Sequence, residues 1–242
     1  MKERIDKILA VNMNIARSEV KKLIKNGAVA INGITVKDGG EKCDISCDGV
    51  TVYGKKLKAE KYIYIMLNKP EGTVSSTENG RFPTVIDILP DNLKRRGLFP
   101  AGRLDKDTTG FCIITDDGDF AHRILSPVSH VEKSYTAEVD GEIDFEKAKE
   151  AFLKGVVLSD GTVLLSALLE RVGETENRFK VTIKEGKYHQ IKRMFASLGG
   201  KVTKLHRDSI GGLSLDKTLK PGEARLITKE ELSAITDGKT PA

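Results

Sequence analysis

Tryptophan is absent from this chain of 242 residues, and cysteine occurs only three times. A small, odd number of cysteines argues against a disulfide framework and favours a reducing compartment. Cys43 and Cys47 lie four residues apart, but no second Cys or His pair stands at the spacing of a zinc site, so we expect no metal. A phosphate-cradling glycine loop and a His/Cys cluster are also missing.

Long apolar runs are scarce as well. The chain opens with charged residues, and no run in it has the length of a signal-peptide core or a membrane span. We therefore expect a cytoplasmic protein without a membrane partner. Hydrophobic residues make up 39% and charged residues 31%, which is typical of globular proteins, and the length fits one large or two modest domains.

Positive charge is in excess, at a formal +5, and most of the excess lies in the first 60 residues. Apolar residues recur there at helical spacing between Ser18, a predicted N-cap, and Gly27, a predicted stop. The basic residues of this helix form a stripe beside its apolar face. The stripe consists of Arg17, Lys21, Lys22 and Lys25. This pattern fits either a surface that binds a polyanion or an ordinary solvated helix.

A hairpin signal, Asn32-Gly33, follows the basic helix. The stretch RIDKILA…ARSEVKKLIKNGAVAINGITV, which includes Arg4, resembles the S4-type RNA-binding domain. The resemblance implies a basic surface, with Arg4 among its contacts, that docks on structured RNA through shape and phosphates. A polar, charged segment at residues 54–61 then separates residues 1–60, the expected S4-like domain, from the rest of the chain.

Residues 61–235 form the second expected domain. Predicted strands and helices alternate there without a regular βαβ repeat, which indicates an α+β fold. Within it, the segment AGRLDKDTTG places Asp105 between Arg103 and Lys106, directly before an apolar strand. A loop that holds one carboxylate ahead of a rigid strand is a common way to present a nucleophile or base. The same residues also fit a solvated turn, and spacing alone does not decide between the two interpretations.

A second basic segment lies near the end of the chain. Residues 184–207 hold seven Lys and Arg against one acidic residue, Glu185. The helical spacing of the apolar residues places Lys192 beside the buried face, where it can reach an anion, and turns Arg193 toward solvent or RNA. Two basic segments on either side of one loop carboxylate favour a polyanionic substrate.

Several motifs, in order, resemble those of RNA pseudouridine synthases. AGRLDKDTTGFCIITDDG resembles the family signature, and YIMLNKPEGTVSST, EKSYTAEV and EGKYHQIKRMFASLGG are similar to its other segments. The resemblance covers residues 5–232 and implies a catalytic domain with a mixed, mainly antiparallel sheet. The implied reaction isomerises uridine to pseudouridine through a base that is flipped out of the RNA, and it needs no cofactor.

The resemblance also implies roles for individual residues. Asp105 would be the nucleophile, Tyr135 would stack on the flipped uracil, and Lys192 would pair with Asp105. Arg103 would fill the gap that the extruded base leaves. The remaining basic residues of the second segment are expected to contact RNA, namely Lys187, His189, Arg193 and Arg207.

An S4-like domain joined to such a catalytic domain is similar to the ribosomal branch of the family, and GKYHQIKRMF with LHRDSIGGL is closest to its small-subunit enzymes. We therefore expect an enzyme that acts on 16S rRNA or a small-subunit assembly intermediate. We also expect a monomer, because the sequence leaves no apolar stripe unassigned. One alternative is a 23S rRNA enzyme, and another is a non-catalytic ribosome-assembly factor. A hydrolase that uses Asp105 and Asp107 as paired carboxylates is a weaker alternative, because both residues lie on one short loop.

Overall fold

The computed structural model describes residues 2–78, 80–173 and 177–237. The chain forms two compact units, Met1–Ile63 with Asp91–Leu98, and Tyr64–Pro90 with Phe99–Ala242. The limits predicted from sequence, 1–60 and 61–235, stay a prediction, and they do not include the return of Asp91–Leu98 to the first unit. Within the described residues, no helix combines the length and apolar character that a membrane span requires.

The first unit packs two helices against short strands. Its core consists of apolar residues that recur at helical or strand spacing, such as Ile5, Leu9, Val20 and Val29. In the described residues β1 pairs with β4, and the other strands form a sheet in the order β3-β2-β5-β6. The elements are β1 (Glu3–Arg4), α1 (Ile5–Asn12), α2 (Arg17–Lys25), β2 (Val29–Ile31), β3 (Ile34–Thr35), β4 (Lys42–Cys43), β5 (Val50–Val52) and β6 (Lys55–Lys56).

The basic helix α2 begins earlier in the chain than the sequence predicts. Its N-cap is Ala16, whose backbone N–H donates to the Glu19 carboxylate at 2.7 Å, so Ser18 lies inside the helix and its prediction as the N-cap is wrong. A side chain three residues into the helix can satisfy a free N–H as well as a capping hydroxyl does. The predicted stop is confirmed, because Gly27 follows the helix with φ +67°.

The second unit is built on one large sheet with helices packed against it. Its strands are β7 (Tyr64–Lys69), β8 (Phe99–Pro100), β9 (Thr108–Thr115), β10 (Lys133–Asp140), β11 (Leu168–Arg171), β12 (Arg178–Ile183), β13 (Lys201–Ile210), β14 (Leu213–Ser214) and β15 (Ala224–Leu226). Its helices are α3 (Gly118–Leu125), α4 (Phe145–Lys154), α5 (Gln190–Ala196) and α6 (Lys229–Asp237). Short 3-10 turns cover Asp91–Leu93, in the first unit, and Pro127–Ser129.

Strand pairing in this sheet is antiparallel except between β9 and β13, within the part of the chain that the structure describes. The main path runs β11-β12-β10-β13-β9-β7-β15. The structure thus confirms the α+β class and the mixed, mainly antiparallel sheet. Because β9, β13 and β10 are neighbours, residues from three distant parts of the sequence lie side by side at the centre of the sheet.

Gly110 allows the parallel contact between β9 and β13. Its φ is +98°, and a Cβ built on it would lie 2.4 Å from the carbonyl oxygen of Arg207. Any larger residue at this position would push the two strands apart. The glycine that ends the AGRLDKDTTG segment therefore fixes the position of β9 and of the loop before it.

Candidate active site

Asp105 lies on the loop between β8 and β9, and buried residues hold this loop in place by hydrogen bonds. The Ser75 hydroxyl donates to the Leu104 carbonyl and accepts from the Leu104 N–H, and both distances are 3.0 Å. Lys69, at the end of β7, is fully buried and donates to the carbonyls of Lys106 and Thr108 at 3.3 and 2.7 Å. Burial lowers the pKa of Lys69 to about 8, although nearby carboxylates favour its charged form. The loop is therefore fixed by hydrogen bonds that do not use the carboxylate itself.

The ammonium of Lys192, on α5, bridges two carboxylates of this loop. Its Nζ lies 3.0 Å from Asp105 Oδ2 and 2.6 Å from Asp107 Oδ1. Burial lowers the pKa of Lys192, but the hydrogen bonds to Asp107 and Asp105 outweigh burial, so this pKa lies above its usual value. Burial raises the pKa of Asp107, but its bond to Lys192 more than offsets this effect and the pKa falls. Lys192 is therefore a permanent cation that holds and orients Asp105.

His189 contacts the other oxygen of the same carboxylate. Its Nε2 lies 3.4 Å from Asp105 Oδ1, and its backbone has a left-handed conformation with φ 48°. The turn before α5 is held by Gln190, whose side chain accepts from the Lys187 N–H at 2.9 Å and donates to the buried Glu185 at 3.2 Å. Left-handed conformations outside glycine cost about 1–3 kcal/mol and cluster at functional sites. The structure brings His189 to Asp105, whereas the sequence predicts a contact with RNA.

Tyr135, on β10, is buried, and Arg207, on β13, supports it. Arg207 is only 3% exposed, its Nε donates to the Phe111 carbonyl at 2.6 Å, and its Nη1 makes a long 3.4 Å contact with the Tyr135 hydroxyl. A guanidinium that is enclosed in this way does not reach RNA phosphates, so the prediction of Arg207 as an RNA contact is wrong. Its Nη2 and the Thr108 hydroxyl are buried without a hydrogen-bond partner among the described residues.

Asp105, Tyr135 and Lys192 line one cleft. Arg103 lies at its exposed side, and Thr108 and Leu205, from paired strands, also face it. The two orphaned polar atoms lie on residues in or next to this cleft, where a substrate or water can satisfy them. The lining is Arg103, Leu104, Asp105, Thr108, Tyr135, Ile183, Gly186, Lys187, His189, Gln190, Ile191, Lys192 and Leu205.

Two basic side chains predicted to contact RNA have partners within the second unit. Arg193 pairs with Asp160 at 2.5 Å and is 28% exposed, so it lies partly at the surface and its contact with RNA stays a prediction. Lys187 lines the cleft, and its Nζ donates to the Val163 carbonyl at 3.0 Å. The pair of Arg193 with Asp160 joins α5 to a residue 33 positions away, a contact that has no signal in the local sequence.

The predicted basic residues of the first unit lie at its surface. Arg4 is exposed and forms a two-point pair with Asp6, with bonds of 3.1 and 2.8 Å. The basic residues of α2 are all exposed, and the side chains of Val20 and Ile24 on the opposite face are buried. The exposed residues of α2 are Arg17, Lys21, Lys22 and Lys25.

Sequence reasoning missed Lys69 and Ser75, which position the loop. Lys69 carries a usable signal, because a lysine at the end of an apolar strand is either a surface residue or a buried charge with partners. Ser75 gives no signal, since serine is common in loops. Within the described residues, no group of three or more His, Cys, Asp and Glu side chains is arranged to hold a metal ion.

Comparison with known proteins identifies the family of this chain. Residues 63–197 match the family model of RNA pseudouridylate synthase, and residues 3–62 match that of the S4 domain. Ribosomal small subunit pseudouridine synthase A of Vibrio cholerae is 42% identical over 234 residues, which are 96% of this chain and 99% of the relative. The Escherichia coli (strain K12) protein of that name is 39% identical over 240 residues, with the same coverage.

Further relatives include an RNA pseudouridine synthase of Bacillus subtilis, YtzG, which is 43% identical over 97% of this chain and 98% of its own length. A crystal structure of a pseudouridylate synthase is 39% identical, covers 96% of this chain and 99% of that chain, and superposes with a TM-score of 0.66. The chain therefore belongs to the RNA pseudouridylate synthase family, as an enzyme that isomerises uridine to pseudouridine in RNA and carries an S4 domain before its catalytic unit.

Proposed function

We propose that this enzyme modifies a uridine of small-subunit (16S) rRNA, with Asp105 as the nucleophile. Relatives that are named for the small ribosomal subunit match 96% of the chain at 39% to 42% identity, which supports this substrate over 23S rRNA. The exposed basic stripe of α2, at Arg17, Lys21 and Lys25, offers a surface for the phosphates of structured RNA. A non-catalytic assembly factor is disfavoured, because it would not need a carboxylate held between Lys192 and His189 in a cleft.

Asp105 has the geometry of a nucleophile. Lys192 bonds its Oδ2 and His189 contacts its Oδ1, while 30% of the side chain stays exposed to the cleft. Attack on C1′ of the ribose or C6 of the base bonds Asp105 to that carbon and lets the N1–C1′ bond break. The base then turns, C5 bonds to C1′, and the bond to Asp105 breaks to release the carboxylate. The proton on C5 is then lost and N1 gains one, so no electron is gained or lost overall. This balance explains why the reaction needs a nucleophile and a base but no cofactor.

Tyr135 and Arg103 have complementary roles in the proposal. The Tyr135 ring lines the cleft beside Asp105, where it stacks on the flipped uracil, and its hydroxyl can relay the proton that C5 loses. The Arg207 guanidinium contacts this hydroxyl on the side away from the cleft, at 3.4 Å. The exposed Arg103 occupies the space that the uracil leaves in the RNA, as a planar guanidinium can stack on neighbouring bases.

Replacement of Asp105 by Asn tests the proposal. We expect Asp105→Asn to abolish pseudouridine formation while RNA binding stays within about twofold of wild type, because the amide keeps the size but not the nucleophile. Asp107→Asn is the matched control, since Asp107 lies on the same loop and bonds the same Lys192 but is more exposed. We expect it to retain most of the activity.

The measurement is chemical mapping of pseudouridine in rRNA from cells that lack this protein, after incubation with each purified variant. Product from Asp105→Asn would refute the nucleophile assignment. Product only in 23S rRNA with the wild-type enzyme would refute the substrate assignment and leave the nucleophile assignment standing.

A further inference from the structure

Tyr188 is the most exposed large aromatic side chain of the described residues, at 75%. Its ring stacks on His189, with ring centres 3.8 Å apart and planes 18° apart. His189 covers one face of the phenol ring and leaves the other face open. A large ring that contributes nothing to the core, yet is held flat against a neighbour, has the form of a binding surface.

The stacked pair is fixed beside the reacting carboxylate. His189 Nε2 lies 3.4 Å from Asp105 Oδ1, and the left-handed backbone of His189 turns the chain at this point. The buried Glu185 accepts from the Leu165 N–H at 2.7 Å and from Gln190 at 3.2 Å, which anchors the turn on both sides. The open face of Tyr188 is therefore held at the mouth of the cleft rather than on a free loop.

Cationic side chains surround the groove next to this ring. Arg103, Lys106 and Lys187 line it together with Tyr188, and Asp105 is the carboxylate in its lining. An aromatic face flanked by cations suits single-stranded nucleic acid, because the ring stacks on a base while the cations neutralise the adjacent phosphates. An aliphatic partner would leave the cations unused, and an acidic partner without rings would leave the aromatic face unused.

We propose that Tyr188, backed by His189, is a stacking platform for the unpaired nucleobase next to the target uridine. This inference rests on the proposed site around Asp105 but not on the choice of 16S rRNA. When a uridine flips into the cleft, its neighbours in the strand lose a stacking partner. The open face of Tyr188 replaces that partner, and Lys106 and Lys187, which line the same groove, neutralise the adjoining phosphates.

Kinetics of three full-length variants test the platform on rRNA that lacks the modification. We expect Tyr188→Ala to raise KM about tenfold with kcat within about twofold, since a base stack on an aromatic ring is worth roughly this much. Tyr188→Phe keeps the ring and should match wild type. Leu168→Ala removes another side chain that is 51% exposed on the same unit and should also match wild type. The wild-type reaction shows which rRNA is the substrate, so a failure of the 16S assignment is seen separately.

Fluorescence then distinguishes stacking from a general effect on binding. The probe is a ten-nucleotide uridine oligomer with a central 2-aminopurine, whose emission falls when the base stacks, and the protein background is Asp105→Asn to prevent turnover. At saturating protein, we expect quenching with Tyr188 or Tyr188→Phe and less than half of it with Tyr188→Ala. The proposal is overturned if Tyr188→Ala has the KM of wild type or quenches the probe as strongly as wild type. It is also overturned if Tyr188→Phe is as impaired as Tyr188→Ala.

Discussion

A buried lysine holds the loop that carries Asp105. Lys69 is fully enclosed, and its Nζ donates to the carbonyls of Pro70, Lys106 and Thr108. Its pKa in the folded chain is about 8 because of burial, against an ordinary value of 10.5. Below pH 8 the buried ammonium therefore costs free energy of folding, and its hydrogen bonds to the loop offset part of this cost.

This pKa predicts how stability changes with pH. Between pH 8 and 10.5 the unfolded chain holds a proton on Lys69 that the folded chain has lost, so the Lys69 contribution to the free energy of unfolding rises with pH. We expect the free energy of unfolding of wild type, relative to that of Lys69→Met, to rise by up to ~3 kcal/mol over this interval. Urea unfolding at pH 7.5 and pH 10 measures it, and a difference that does not change with pH would contradict the assignment.

Lys133 provides the matched control. Burial lowers its pKa to about 8 as well, but it donates to the carbonyls of Ile124 and Val131 instead of the catalytic loop. Lys133→Met should reproduce the pH effect on stability and retain activity. Lys69→Met should lose activity, because the loop that carries Asp105 loses its hydrogen bonds at Lys106 and Thr108.

At the residue scale, sequence patterns identify side chains that differ from their surroundings. The place of Asp105 before an apolar strand fits a nucleophile or a solvated turn, and only the resemblance to a family favours the nucleophile and points to Lys192 as its partner. The prediction for Arg207 is wrong because arginine is rarely buried, and nothing near it in the sequence shows that it lies behind Tyr135. The partner of Arg193, Asp160, is 33 residues away, so only the folded chain reveals it.

At the scale of elements, the parallel contact of β9 with β13 holds the site together. Arg207 stands opposite Gly110 in this pairing. Gly110→Ala places a Cβ against the Arg207 backbone, so we expect a loss of about 2 kcal/mol or more in stability and a large loss of activity. Gly222→Ala is the control, because Gly222 has a similar φ of +90° but a Cβ built on it meets nothing within 4 Å. Thermal unfolding and turnover of both variants check this, and equal losses would show that backbone strain alone explains them.

Local patterns predict α2 and the hairpin after it, because amphipathic spacing and Asn-Gly turns act over a few residues. The β9–β13 pairing joins segments that are far apart in sequence, and its parallel direction has no local signal. The same reason explains why the sequence does not assign Asp91–Leu98 to the first unit.

The basic stripe of α2 predicts a salt-dependent contribution to RNA binding. We expect replacement of Arg17, Lys21 and Lys25 by Gln to weaken rRNA binding and to flatten the slope of log K against log salt by roughly 2, since each lost phosphate contact removes about 0.7 to 0.9. The control variant replaces Lys147, Lys149 and Lys154 of α4, which are also exposed and change the net charge equally. An equal change in both variants would mean that net charge, not the α2 surface, controls binding.

At the scale of the whole molecule, the two units are not two consecutive pieces of chain. Asp91–Leu98 belongs to the first unit although it lies within the sequence of the second. Arg95 shows the connection, because its guanidinium donates to the carbonyls of Glu60 and Lys61 at 3.1 and 2.9 Å and is 9% exposed. Leu93 and Leu98 of the same segment are also buried. Removal of residues 1–63 therefore leaves Asp91–Leu98 in the chain without part of its packing.

Limited proteolysis with trypsin tests this interdependence. Residues 94–96 read Lys-Arg-Arg, and the partial burial of this segment in the full chain should protect its peptide bonds. In a chain that begins at residue 64, Arg95 lacks Glu60 and Lys61, so we expect cleavage at residues 94–96 to be at least about tenfold faster, because proteolysis follows the population of the open segment. Mass spectrometry of the fragments over time measures both rates. Equal rates would mean that Asp91–Leu98 does not depend on residues 1–63 for its protection and that the first unit is a separable module.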